Sequence, residues 1–534
     1  MRKFGALVVC ILLTLSPLIG RGAPEEQPVP EPIGFVSDTE RTFTIGMLES
    51  EDQLLLDPVR ATDTNSLLVL DGLFEGLFSF HPETGDPIPA LAEKVAVSDD
   101  GLTWTFTLRE NSRFSNGDPI TAESVVDSWL WLLGQSQSGE GKSYLSSMMD
   151  SIRGVPKFRT GETDTPPEGI VLADSHTIEL RLLSPAPYLP SLLSTLPFSV
   201  IHHSLRNGET ISPAEIISSG PFHIVSLSDS SILLEKHQWY VQHQAVPSDY
   251  IDFRIMSQAQ ITEAYRNREI HWSLAFISQD ALINPQDLRI APEYSTGFFY
   301  FSAESGPYAD PSVRKAMSLL IPWDEIRNTS GHIFPTAQLL PGHVEPGSSP
   351  LTDPEDPVSE AFALLLAAGY PYGAGLPPLH MAVHRGSQVE ESAQRIADAW
   401  SRHLGITVVL DVVPLGMYAR YPELSPYDFS FITWIGDFRD PFTFLHLWSS
   451  DSGYNLGKFR DSTYDDLLAG SMRVAQSSEK RTELARIAEE YLLEQALVFP
   501  LFHGFSINII QSDAVTGWYD NILNIHPVKH LGIK

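Results

Sequence analysis

A chain of 534 residues is too long for one compact core, so two or three domains are the starting expectation. Hydrophobic residues make up 43% and charged residues 19%, which places the chain among globular rather than disordered proteins. Acidic residues outnumber basic ones 67 to 35, and the net charge of −32 argues against binding nucleic-acid phosphates or anionic membrane surfaces.

Arg2 and Lys3 precede an apolar run from Ala6 to Ile19, broken by Pro17 and followed by Gly20, Gly22 and Ala23. The run is too short to span a membrane comfortably, and the pattern predicts a secretory signal peptide over residues 1–22. Cys10, the only cysteine, lies inside it, so a mature chain would carry no disulfide and no thiolate metal site. Cys10 would instead tether the protein to a membrane if Leu7–Cys10 were a lipoprotein acceptor, a reading weakened by bulky Val9 and the short run before it. Residues 23–39 are rich in Pro and Glu and read as an extended tether.

Thr42 to Met47 alternates like a strand, and Leu67 to Phe80 reads as a helix running into a strand. Thr103 to Leu108 alternates again, with Trp104, Phe106 and Leu108 on one face. Asn116-Gly117-Asp118-Pro119 is turn chemistry, Thr121 a candidate N-cap, and Val125, Val126, Trp129, Leu130 and Leu133 one helical stripe. Strands follow at Thr177 to Leu182, Phe222 to Val225 and Ile232 to Lys236. Helices are expected at 309–321, 359–368, 390–404 and 480–493, interleaved with β segments. Alternating helices and strands indicate an α/β protein with more than one sheet.

Reaction motifs are sparse. SGEGKS (138–143) lacks the leading glycine and the feeding strand of a phosphate-binding loop. His380 and His384 fall in an alternating segment, where four-residue spacing does not make one helical face, and no third ligand accompanies them. There is no G-x-S-x-G elbow and no H-E-x-x-H. What stands out is Trp434-Ile435-Gly436-Asp437 after the apolar run YDFSFIT, an acid at the end of a buried strand. That is where open α/β sheets place ligands, although an Asx-capped strand end accounts for the same spacing.

Several motifs in order resemble the peptide-binding subunits of bacterial ABC importers. They are LLLDP (54–58), GLFEGL (72–77), residues 89–129 with SNGDPITAESVVDSW, GPF (220–222), PYADPSVRKAM (307–317) and YDFSFITWIGDFRDP (427–441). The resemblance implies an α/β, two-lobed Venus-flytrap fold with an inserted α+β domain. Lobe one would take 40–78, 173–290 and 506–534, the insert 79–172, and lobe two 291–505. It implies a non-enzymatic receptor in the periplasm that binds an oligopeptide as an extended strand, closes on it, and delivers it to an inner-membrane permease with cytoplasmic ATPase subunits. No cofactor is implied, and a monomer is expected.

Carried over residue by residue, Asp437 matches the acid that pairs with the peptide's α-amino group, and Trp434 the motif's tryptophan. Thr433, Ile435 and Gly436 fall in its backbone-pairing strand, and Thr62, Asp63 and Thr64 in a second pairing segment. The chain departs from the pattern at Leu415, where a pocket tryptophan is common, and at Phe431, where a basic residue assists the peptide's C-terminus. Gly141 replaces a cleft aromatic, with Tyr144 nearby. These departures leave open another ligand on the same fold, such as chelated nickel, haem or a sugar, or a chaperone or adhesin reusing the scaffold.

Overall fold

Two long strands, Leu288–Phe301 and Val498–Ile510, pair antiparallel and organise the chain. Their aromatic and branched residues suit a pleated sheet covered on both faces, and Phe298, Phe299 and Phe301 are fully buried. The computed structural model describes residues 41–534, except 51–53, 139–143, 207–211, 276, 278, 330–333, 343–354, 386–388, 414–426, 454 and 474–477. The expected signal peptide, tether and Cys10 lie outside the described residues, as do Gly141 and Leu415.

The large sheet runs in the order Val408–Val413, Leu379–His384, Phe429–Ile435, Leu288–Phe301, Val498–Ile510, Trp272–Ser273, Thr42–Leu48, Tyr250–Met256, Ser231–Lys236 and Phe222–Leu227. The two long strands are therefore its middle and belong to both halves. Their register shifts between Pro292 and Thr296 and again between Gly297 and Phe298. One half packs the helix Val389–Leu404, whose stripe of Ala393, Ile396, Ala397 and Trp400 is buried. In the other half the helix Thr64–Leu73 is followed by a short strand, Phe78–Phe80, as the pattern over 67–80 suggests.

A separate antiparallel sheet carries Ala92–Val97, Thr103–Leu108, Thr177–Arg181 and Ile170–Asp174. The helix Ala122–Ser138 accompanies it, with Thr121 Oγ1 accepting from the Ser124 N–H at 3.3 Å as expected of an N-cap. Ahead of it Gly117 sits at φ +92°, a value that favours glycine. Because Thr177–Arg181 pairs with Thr103–Leu108, this unit reaches Arg181 and the expected boundary at 172 cuts a hairpin.

The final residues return to the beginning of the chain. The Val528 N–H donates to Asp71 Oδ2 at 2.8 Å, Lys529 pairs with buried Glu75, and Tyr240 donates to the same carboxylate at 2.6 Å. Asn521 donates to the Pro82 carbonyl at 3.0 Å, and Ser248 to that of Leu531 at 2.7 Å.

Candidate functional site

The segment FSFITWI is β-branched and aromatic, and it forms the strand Phe429–Ile435. On one side it pairs with Leu288–Phe301 along its whole length, from Phe429 opposite Phe301 to Ile435 opposite Ser295. On the other side Leu379–His384 reaches only Phe429 and Ser430. The Gly436 N–H donates to the Tyr294 carbonyl at 2.8 Å, in phase with a hydrogen-bonded pair, while the Tyr294 N–H donates to the Ile522 carbonyl at 2.6 Å. Antiparallel pairs alternate, so Thr433 and Ile435 aim their N–H and C=O groups away from Leu288–Phe301. Among the described residues no strand pairs with them there, and both side chains are exposed. The result is an open strand edge two residues from an acid.

Gly436 is required by packing: a Cβ there would lie 2.6 Å from Tyr294 and 2.9 Å from Thr443. Its neighbour Asp437 keeps part of its surface accessible, yet protein encloses the carboxyl. Burial pushes its pKa up to about 7, offset by hydrogen bonding from its own backbone N–H and from Thr443. Thr443 Oγ1 donates to Asp437 Oδ2 and accepts from the Asp437 N–H, both at 3.4 Å. Asp440, three residues on, is different: Arg481 pairs with it at 2.5 Å and it caps the Phe442 N–H at 2.9 Å. Asp440 therefore builds the turn.

Trp434 is buried and donates through Nε1 to the Thr443 carbonyl at 3.0 Å, so it supports the turn rather than forming an open platform. Thr443 holds both residues of the motif, and its role depends on a turn that sequence spacing does not show. Phe438 and Phe442 continue the motif into a stack with Tyr188, whose ring centroid lies 4.3 Å from that of Phe442. Ser147 Oγ meets buried His446 Nε2 at 3.0 Å beside that stack. The motif is thus held against Tyr188 and, through His446, against the unit built on the small sheet.

Two expectations need correction, at Phe431 and at the pair Asp63 and Thr64. Phe431 is fully buried against Phe299, Phe502 and His384, so the position lies in the core rather than facing a ligand. Asp63 is the N-cap of the helix Thr64–Leu73 and accepts from the Ser66 N–H at 2.9 Å; Thr64 is already helical, leaving exposed Thr62 as the only residue of the three clear of the cap. Tyr144 begins a 3-10 turn, Tyr144–Ser151, and Leu415 lies outside the described residues. Among the described residues no group of His, Cys, Asp and Glu could hold a metal ion.

Known proteins match this arrangement. The periplasmic murein peptide-binding protein MppA of Escherichia coli is 26% identical over 471 residues, covering 84% of this chain and 85% of its own. The periplasmic oligopeptide-binding protein OppA of Salmonella typhimurium is 26% identical over 504 residues, covering 89% and 91%. The crystal structure of a periplasmic oligopeptide-binding protein from Borrelia burgdorferi superposes with a TM-score of 0.75 at 25% identity, over 93% of this chain and 100% of its own. The fold is accordingly the two-lobed α/β fold of solute-binding proteins. The profile of the bacterial extracellular solute-binding proteins, family 5 Middle, matches residues 86–455, and the chain belongs to that family.

Proposed function

We propose that this protein is the periplasmic receptor of an ABC importer, capturing oligopeptides between its lobes and delivering them to an inner-membrane permease with cytoplasmic ATPases. The observation that carries this reading is the open edge at Thr433 and Ile435, ending at Asp437. A peptide laid on that edge with its ammonium at Asp437 runs back along Ile435 and Thr433, antiparallel to the strand. Main-chain hydrogen bonds then supply affinity without regard to sequence. A half-buried carboxylate–ammonium contact adds about 1.5–3 kcal/mol and fixes the register. MppA and OppA, named for murein peptides and oligopeptides, support a peptide as the ligand.

The two long strands join the lobes, and we assign the hinge to their register shifts near Pro292–Thr296. Lobe one comprises about 40–78, 182–290 and 506–534, lobe two about 291–505, and the small-sheet unit is the insert. Ligand binds the closed form better and so shifts an open–closed equilibrium. Calorimetry with a tripeptide and its N-acetylated form tests the assignment. Asp437→Asn is expected to weaken the free-amine peptide by roughly ten- to a hundredfold and the acetylated one little. Equal losses for both would remove Asp437 from the amine-binding role.

A further inference from the structure

Two faces meet beside Asp437. One is the turn after the motif, where Thr443 touches the Asp437 carboxyl, Phe442 precedes it and His446 follows within the next turn. The other carries Tyr188, on which Phe438 and Phe442 stack, and Ser147, whose Oγ meets His446 Nε2 at 3.0 Å. The side chains of Phe438, Phe442, His446, Tyr188 and Ser147 are all buried. Within the boundaries proposed above, the first face belongs to lobe two and the second to lobe one and the insert. Tyr188 Oη donates to the Met148 carbonyl at 2.8 Å, which fastens Tyr188 to the turn Tyr144–Ser151 that bears Ser147.

The insert is bonded to lobe one elsewhere, around the turn Asn116–Pro119. The Ser115 N–H donates to the Ser218 carbonyl at 2.9 Å and the Ser218 N–H to Ser115 Oγ at 3.0 Å. His202 Nε2 meets Asp118 Oδ2 at 3.1 Å, and the Arg113 guanidinium lies over the Trp239 ring. Insert and lobe one thus form one body, which lobe two joins through the two long strands with their register shifts. The contact beside Asp437 is of a kind that can part, since a hydroxyl–imidazole hydrogen bond exchanges for bonds to water at small net cost. At its margin Arg159 pairs with Asp150, and the charge of Asp451 acts on both from the lobe-two side.

Building on the receptor reading above, we infer that this contact is the latch of the closed form: Ser147 and Tyr188 meet the segment 438–453 when the lobes close and leave it when they open. Thr443 couples the latch to the ligand, because it touches the Asp437 carboxyl from the same turn that carries Phe442 and His446. A peptide ammonium that orders Asp437 orders the latch face with it. The geometry offers a direct test. A Cβ at Gly453 would lie 3.8 Å from Ser147 Cβ, which is the usual spacing across a disulfide. With Cys10→Ser, the double variant Ser147→Cys, Gly453→Cys contains only that pair of cysteines.

Oxidised without peptide, this variant is expected to be locked shut. Small-angle scattering should give a smaller radius of gyration than for its reduced form, and tripeptide association should slow roughly tenfold or more, both reversed by dithiothreitol. Tripeptide present during oxidation should speed cross-linking several-fold, roughly in proportion to the closed fraction. Ser147→Ala, a milder change, should weaken a tripeptide and its N-acetylated form alike, by roughly three- to tenfold, because closure is lost rather than amine recognition. A pair that does not cross-link, a cross-linked protein with the radius or the peptide association rate of the reduced one, or unchanged affinity in Ser147→Ala would each overturn the inference. If the reduced protein bound no tripeptide the peptide reading would fall, and the scattering comparison would still decide the latch.

Discussion

Asp437 and Asp440 share one motif, and their surroundings assign them different tasks. Arg481 holds Asp440 as a fixed anion of the turn, whereas the Asp437 carboxyl is buried with a pKa near 7. In the empty protein a carboxyl raised in this way contributes stability below pH 4 that is lost as pH rises through 7. An ammonium ligand favours the ionised form, so binding below pH 7 must expel a proton. Peptide affinity is therefore expected to fall up to tenfold per pH unit below 7, and to fall again above about 8 as the peptide amine loses its charge. Calorimetry at pH 6 in buffers of different ionisation enthalpy should register proton release, and Asp437→Asn should flatten the acidic limb. Asp437 and Trp434 were legible because they lie side by side in the chain. Thr443 was not, since it acts through a turn. Phe431 misled for a related reason: it shares a face with exposed Thr433 and Ile435 but lies further in, beneath Phe502 and His384.

At the scale of elements, local chemistry was a good guide. The Thr121 cap, the Asn116–Pro119 turn and the helices Val389–Leu404 and Ser478–Glu494 fall within a residue or two of expectation, because periodicity and turn residues encode them locally. The expected boundary at 172 split the hairpin Ile170–Arg181 because the place of its second strand depends on pairing with a strand some seventy residues earlier, which no local pattern records. The helix Thr64–Leu73 offers a direct check on the corrected role of Asp63. Asp63→Ala should lower unfolding free energy by about 1 kcal/mol, as loss of an N-cap does, while leaving peptide affinity within about twofold. Denaturant titration reads the first and calorimetry the second; a large affinity loss at unchanged stability would restore Asp63 to the binding site.

For the molecule as a whole, acid response follows from buried histidines. Burial lowers the pKa of His237, His446 and His503 to about 4 and that of His526 to about 3. A histidine held neutral contributes stability that is complete above its unfolded pKa near 6.5 and lost as pH falls toward 4. His530 is lowered to about 4 as well, and against these five histidines stand three carboxyls acting in the opposite direction, Asp437 and Glu489 raised to about 7 and Asp71 to about 6. The unfolding free energy read by urea titration should thus drop between pH 6.5 and 4, by about 1.4 kcal/mol per pH unit for each net proton taken up on unfolding. His446→Asn should reduce that slope by close to one proton; an unchanged slope would show that His446 does not titrate on unfolding. Order of synthesis adds a constraint of another kind. Asp71, Glu75 and Pro82 wait for partners at Val528, Lys529 and Asn521, more than four hundred residues downstream. A chain emerging amino end first cannot finish its earliest lobe until its last residues are free, so the first half to be made is the last to become native. Such a delay leaves the amino-terminal elements without their long-range partners for as long as synthesis of the chain takes.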